Sequence, residues 1–384
     1  MDALALAAAS FAAFALFVHL ATTLVAARRC RVPSERPPSF ENGPSVTIIR
    51  PVCGLDACEE ATLRSTFALD YPHFEVLFCC ASRGDPVVAL IERLIAEHPQ
   101  TRARLLIGEE RICENPKLNN IVKGWRAAAH GWIAIVDSNV LMPPDFLQRL
   151  FATWRDGTGL VSAPPVGWRP QGTCAELECA FLNTYQARWQ YAADSGGLGF
   201  AQGKVLFWRR SDLERAGGIQ ALATEIAEDA AATRVVRALG LHVRLADGAF
   251  PQPLGMRTAR QVWSRQLRWA RLRRATFPEL FALEPLSGLM LPLLAAIVAA
   301  QGLEYDTAAL VAAFLALWLG AEAGLAAAIG WHLTWRSPFL WLLRELALPV
   351  LWAQAWLGNG LSWRGQEMSL EPGTDGLGAP LGRS

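Results

Sequence analysis

WIAIVDSN, residues 132–139, is the stretch on which the fold reading turns. Its apolar run from Trp132 to Val136 is too short for a helix and too apolar for a surface loop. It reads as a strand buried on both faces, as in a sheet covered by helices on either side. Three more runs of this kind precede it, at 46–52, 74–81 and 103–107. Between them, 58–68, 86–97 and 117–129 carry apolar residues at helical spacing, and Asp85 before Pro86 offers an N-cap with proline in the first turn. This alternation predicts βα units and a largely parallel sheet from Ser45 to about Phe250. Such a sheet binds ligands beyond the carboxyl ends of its strands, where Asp85 and Asp137 fall.

Around this α/β domain the chain is apolar. Of its 384 residues 52% are hydrophobic, more than an ordinary soluble enzyme carries, so membrane segments are predicted. Residues 3–27 hold no charge and are long enough to cross a hydrocarbon layer about 30 Å thick as a helix. Asp2 precedes this run and Arg28, Arg29 and Arg31 follow it. That pattern favours a retained span over a cleaved signal peptide and puts the next domain in the cytoplasm. The organisation read from the sequence is an N-terminal span (1–30), a Pro- and Ser-rich tether (31–44), a cytosolic catalytic domain (45–256) and a basic, aromatic interfacial helix (257–277). A membrane region (284–360) and a Gly-rich tail (361–384) complete it. Within the membrane region the run 338–357 contains Arg344, Glu345 and Pro349, and reads as a tilted or re-entrant segment whose ion pair faces protein.

With 36 basic and 35 acidic residues the net charge is +1, and no global field points to nucleic acid or a polyanion. None of the eight cysteines forms a C-x-x-C pair, a usage that fits reduced thiols rather than a disulfide framework or a zinc site.

Several residues are placed for chemistry, each with a plainer rival reading. Asp137 ends a strand where a hydrated divalent cation on a diphosphate would need an oxygen ligand, and the same position suits a turn cap. Asp85, in Ser82-Arg83-Gly84-Asp85-Pro86, suits either a nucleotide base or ribose, or the N-cap alone. Lys117 and Asn119 lie in Asn115-Pro116-Lys117-Leu118-Asn119-Asn120 before a helix, where a lysine neutralises phosphate charge or is simply solvated. Glu228 and Asp229 open a helix that ends at Gly240, and the helix dipole alone accounts for them. A general base for an acceptor hydroxyl is the sharper reading. Neighbours on a helix point about 100° apart, so one of the pair is expected to face the site, and Asp229 is the choice. Arg265 and Arg268 share a helical face with Trp269 beside them. They suit the charge on a departing diphosphate, with Trp269 under a sugar or acceptor, or else a lipid-headgroup anchor.

Taken in order, a strand ending at Pro51, Gly84-Asp85-Pro86, the Asn-Pro-Lys-x-Asn-Asn run, Asp137-Ser138, Glu228-Asp229 and Arg-x-x-Arg-Trp lie between one span and a hydrophobic tail. Leu69-Asp70-Tyr71-Pro72, Ala216-Gly217-Gly218 and Ser362-Trp363-Arg364 extend the set over nearly the whole chain. The ordered set resembles the ceramide glucosyltransferase family, within the inverting GT-A glycosyltransferases. The resemblance implies that Asp85 contacts uridine, that Asp137 serves the diphosphate with Mg2+ or Mn2+, and that Asp229 is the catalytic base. Pro51, Lys117, Asn119 and Gly203 would line the donor site, and Arg265, Arg268 and Trp269 match the family signature that closes over the donor. It further implies UDP-glucose or a related nucleotide sugar as donor, ceramide or another membrane lipid as acceptor, and one displacement that turns an α-linked donor into a β-glycoside. The Ala- and Arg-rich composition adds the expectation of a bacterial inner membrane. Two departures stand out. Asp137-Ser138-Asn139 lacks the second Asp of a D-x-D motif, and Gln186 stands where animal members carry a His. The rival functions are glycosylation of a hopanoid or diacylglycerol, a catalytically silent scaffold, and a processive polysaccharide synthase.

Overall fold

The computed structural model describes residues 3–31, 43–56, 58–363 and 366–369. Most of the expected tether, the tail beyond Ser369, and Arg364 of the late motif lie outside the described residues.

The chain opens with helix α1 (Ala3–Arg29) and enters the domain through β1 (Val46–Val52), α2 (Glu59–Arg64), β2 (Phe74–Cys80), α3 (Val87–Glu97), β3 (Arg102–Ile107), α4 (Pro116–Ala127) and β4 (Trp132–Val136). These agree with the sequence expectation to within one or two residues, apart from the 3-10 turn Ser65–Ala68 that finishes the second helix. The second half holds α5 (Phe146–Thr153), β5 (Thr158–Ser162), β6 (Val166–Gln171), α6 (Thr173–Ala180), α7 (Arg188–Ser195), β7 (Val205–Arg209), α8 (Arg210–Arg215), α9 (Glu228–Ala238), β8 (His242–Leu245) and β9 (Pro251–Met256). A π-helical stretch, Phe181–Ala187, joins α6 to α7. Of these elements the sequence reading had drawn only the helix that became α9.

Seven strands form one sheet in the order β3-β2-β1-β4-β7-β5-β8. Only β7 runs against its neighbours. Alternation within β4 shows why the apolar run reads as it does. Ile133 and Ile135 pack with Leu118, Ile121 and Trp125 of α4, while Ala134 and Val136 face Phe146, Leu147 and Leu150 of α5.

The C-terminal region is helical: α10 (Ala259–Thr276), α11 (Pro278–Ala282), α12 (Met290–Gly302), α13 (Thr307–Ile329) and α14 (Ser337–Trp356), followed by a hairpin of β10 (Gly360–Trp363) and β11 (Gln366–Ser369). α1 and α13 are long and apolar enough to cross a membrane. α12, at 13 residues, rises only about 20 Å and is shorter than the hydrocarbon layer. α14 runs unbroken through Pro349. Its Arg344 is fully buried, donating to Glu322 of α13 (2.7 and 2.9 Å), to Glu345 (2.6 Å) and to Thr184 Oγ1 (2.9 Å), so the ion pair faces protein. Replacing Arg344 by Met strands two buried carboxylates, and a loss of about 3–5 kcal/mol is expected. A clear fall in the thermal unfolding midpoint of the detergent-solubilised protein is the readout, and an unchanged midpoint contradicts it. Arg29, the last residue of α1 and one of the three arginines that follow the uncharged run, donates to Asp194 (2.9 Å) and the Leu245 carbonyl (2.8 Å) and pairs with Asp247. It ties the helix to the α/β domain as well as flanking an apolar run.

Candidate active site

The site is built where β1 and β4 end and β7 begins. The antiparallel register pairs Val136 with Val205, and one step further the Asp137 amide donates to the Lys204 carbonyl at 3.0 Å. Lys204 is therefore held directly across from Asp137. Its ammonium sits 2.8 Å from Asp137 Oδ2 and 3.4 Å from Asn139 Oδ1. The other carboxylate oxygen, Oδ1, lies 2.6 Å from Lys117 Nζ, which also reaches Glu228 Oε1 at 2.6 Å and donates to the Gly203 carbonyl. Burial pushes the Asp137 carboxyl upward, yet Lys117 and Lys204 outweigh it and hold the group well below the usual carboxylate range. Burial likewise depresses the Lys117 ammonium, but Asp137 and Glu228 reverse the direction and raise it. For Lys204 burial prevails and its pKa is lowered.

Two residues that sequence reasoning passed over hold this centre in place. Arg50, fully buried in the middle of β1, donates to the carbonyls of Asp137 (2.9 Å), Ser138 (2.9 Å) and Val140 (3.0 Å), and so shapes the loop that presents the carboxylate. Asn115 accepts from the Lys117 and Leu118 amides (2.9 and 3.1 Å), capping α4, while its Nδ2 donates to Glu228 Oε2 at 2.7 Å. An arginine inside an otherwise apolar strand and an Asn-Pro start to a helix were the available signals.

Glu228 and Asp229 form the first turn of α9 after the N-cap Ala227. Asp229 accepts from the Gly203 amide (2.7 Å) and the Ala230 amide (2.8 Å). Burial, then the charge of Glu228, pushes its pKa up to about 6. The expectation that one of the pair would face the site needs correction, because both converge on Gly203. A Cβ there would lie 2.9 Å from Glu228 Oε1, 3.2 Å from Lys117 Nζ and 3.4 Å from Asp229 Oδ2. The longer Glu side chain reaches back across the helix start to Lys117 and Asn115, which the 100° separation did not anticipate. Gly203→Ala is accordingly expected to leave a folded protein with strongly reduced turnover, checked by circular dichroism beside a transfer assay; wild-type turnover would contradict the crowding.

The remaining expected site residues fall as follows. Both oxygens of Asp85 accept from the Gly54 amide (3.0 and 2.9 Å), and Oδ1 also accepts from Val87 N (2.9 Å), so Asp85 fixes the start of α3 against the loop after β1. Pro51 is buried in β1 opposite Cys79 of β2. Asn119 bonds the Ile112 and Cys113 amides and the Cys113 carbonyl (2.9, 3.1 and 2.9 Å) and organises the loop before α4. On α10, Arg265 donates to the buried Glu178 of α6 at 2.6 Å. Trp269, partly buried, packs against Ala175, Cys179, Leu182 and Leu254. Leu267, on the same helix, meets Phe181 and Leu351.

A Mg2+ or Mn2+ ion on Asp137 is the expectation least supported by these residues. Both carboxylate oxygens are engaged by ammonium groups. Among the described residues no group of three His, Cys, Asp or Glu could hold an ion. An ion there would have Asp137 as its protein carboxylate, would need the rest of its about six oxygen ligands from phosphate and water, and would meet Lys117 and Lys204 at contact distance.

Comparison with known proteins gives the family. Residues 7–375 match Glycosyl transferase family 21. Ceramide glucosyltransferase 1 of Caenorhabditis elegans is 27% identical over 380 residues, covering 96% of this chain and 80% of that one. The ceramide glucosyltransferase of Komagataella phaffii is 33% identical over 204 residues, covering 47% and 39%. The solved mannosyltransferase PcManGT of Pyrobaculum calidifontis, in complex with GDP-Man and Mn2+, overlays with a TM-score of 0.52 at 20% identity, covering 92% of this chain and 97% of that one. That likeness is one of fold and agrees with a GT-A domain carrying apolar helices at both ends. The chain belongs to glycosyl transferase family 21 and is a glycosyltransferase.

Proposed function

We propose that the chain transfers a hexose, glucose foremost, from a UDP-sugar to the hydroxyl of ceramide or a similar membrane lipid, giving a β-glycolipid. One observation carries this reading: around Gly203 the buried carboxylate of Asp229, its pKa pushed up to about 6, stands beside the ammonium groups of Lys117 and Lys204, which are paired with Asp137 and Glu228. A base poised near neutrality and a seat for diphosphate charge are the two groups that a single displacement at an anomeric carbon needs.

In the proposed reaction the acceptor oxygen forms its bond to the anomeric carbon from the face opposite the diphosphate while its proton passes to an Asp229 oxygen. The bond from the anomeric carbon to the β-phosphate oxygen breaks, and its electron pair leaves with UDP. Lys117 and Lys204 meet the growing charge from the sheet side, Arg265 and Arg268 from α10. Asp85, just before α3, and Pro51, near the end of β1, border the nucleoside. The Mg2+ or Mn2+ expected from sequence enters no step.

The lipid acceptor draws on two supports. Relatives are named ceramide glucosyltransferases, and a narrow, mostly apolar cleft lies between α10, α14 and the segment 281–290, lined by Gln186, Gln266, Arg273, Phe281, Glu284 and Trp352. Gln186 donates to Gln266 Oε1 at 2.9 Å, while the buried Gln266 Nε2 has no partner among the described residues. An apolar cleft with an unpaired amide donor suits a lipid whose head carries hydroxyl or amide oxygens. In the same reading α1 and α13 cross the membrane, α10 lies at headgroup level, and the α/β domain stands on the cytoplasmic side of a bacterial inner membrane.

Purified protein incubated with labelled UDP-glucose or UDP-galactose and a panel of ceramide, diacylglycerol and hopanoid tests the proposal. A glycolipid with ceramide is expected. No lipid-linked product from any pair sinks the reading in favour of a silent scaffold, and long sugar chains would point to a polymerising synthase.

A further inference from the structure

Lys204 was not singled out by its sequence, and its place in the fold is unusual for a site that handles a diphosphate. It stands immediately before β7, and the Asp137 amide bond to its carbonyl extends the β4–β7 ladder by one step. Its backbone is thereby fixed opposite Asp137, as a cross-strand ion pair. Gly203 before it is pinned as well, by Asp229 through its amide and by Lys117 through its carbonyl.

We propose that Lys204, together with Lys117, is the built-in counter-charge for the donor diphosphate, so that this chain binds UDP-sugar and expels UDP without a divalent cation. This rests on the reading of the donor as a nucleoside diphosphate sugar.

Three observations support it. Each oxygen of Asp137 already lies within 2.6–2.8 Å of an ammonium nitrogen, Oδ1 of Lys117 and Oδ2 of Lys204. A doubly charged ion at that carboxylate would meet two like charges at contact distance in a buried site, where they are weakly screened. The sequence supplies Asn139 in place of a second carboxylate, and its Oδ1 accepts from Lys204 at 3.4 Å. Lys204 also has donor capacity to spare. Of its three N–H bonds, one goes to Asp137 and one, long, to Asn139, and the third has no acceptor among the described residues. A phosphate oxygen completes that set, and an ammonium group is a common point-charge partner for phosphate. When the bond to the anomeric carbon breaks, the electron pair settles on the β-phosphate oxygen with its negative charge against these two cations, and no proton is needed by the leaving group.

Calorimetric titration of the detergent-solubilised full chain with UDP and UDP-glucose, in EDTA and then in Mn2+, tests the proposal. Wild type is expected to bind equally in both buffers, within about twofold. Lys204→Met should lose roughly tenfold or more in EDTA, the weight of one charge-assisted bond, and regain affinity with Mn2+ because Oδ2 is then open. Lys204→Arg should keep binding in EDTA. Wild-type binding that appears only with Mn2+ or Mg2+ overturns the proposal without any variant. If wild type binds no uridine nucleotide in either buffer, the donor reading itself fails, and this inference with it.

Discussion

Asp229→Asn should lower kcat by about 100- to 10,000-fold, the range a positioned general base supplies, while UDP binding stays close to wild type. The amide keeps the shape of the carboxylate and its single oxygen can still accept from the Gly203 amide, but its nitrogen loses the bond from the Ala230 amide and the side chain cannot take the acceptor's proton. The pH profile gives an independent reading. Because burial and Glu228 raise Asp229 to about 6, the base form is lost below that pH, and the rate should climb through about 6 and level above it. That step should vanish from the residual activity of Asp229→Asn. Glu228→Gln should behave differently, since Glu228 is bonded to Lys117 and Asn115: donor affinity falls first and the pH step survives. Near-normal turnover in Asp229→Asn beside a dead Glu228→Gln would assign the base to the wrong carboxylate.

The second large effect is expected on α10. Arg268→Ala should cost about 100-fold or more in turnover, comparable to removing one preorganised donor from a developing anion, with membrane attachment unchanged. The structure argues against a mere headgroup anchor, because protein packs against this helix along its length. Thr258 caps it in a reciprocal box with Gln261, Trp263 Nε1 donates to Gln354 of α14 at 3.0 Å, and Arg273 donates to Glu284 at 2.7 Å. Arg265, bonded to buried Glu178, is instead expected to show a mixed loss: Arg265→Ala leaves a buried carboxylate short of a cation and should lower thermal stability together with turnover. If Arg268→Ala retains full turnover in detergent and changes only binding to anionic vesicles, the charge belongs to membrane contact.

The first four strands were legible because each is an apolar run framed by helical spacing, and the structure moves their ends by at most a residue or so. β5, β7 and β8 were not, being short and dependent on partners far along the chain: β7 finds its register only against β4 and β5. The same limit governed the site. Asp137 and Lys117 carry local signals, a strand end and a helix start. Lys204 has none until the β4–β7 register puts it across from Asp137. Arg50 and Asn115 read as an oddity and a cap, and their work is visible only in the carbonyls and carboxylates they reach. Trp269 carries a motif signal, and the fold adds what the motif does not show, that it packs, partly buried, on Ala175, Cys179, Leu182 and Leu254. The buried Arg344 was a clearer case, since an arginine in an apolar helix must find a carboxylate, and Glu322 and Glu345 provide two.

The central claim is that a lipid hydroxyl displaces UDP in one step with Asp229 taking its proton. The most direct test is proton NMR of the glycolipid made by wild type from UDP-glucose and ceramide, run beside Asp229→Asn under conditions where both bind UDP. A β-linked sugar from wild type and, in equal time, a yield at least about 100-fold lower from the variant is the result expected. An α-linked product, or equal yields from the two proteins, would contradict it.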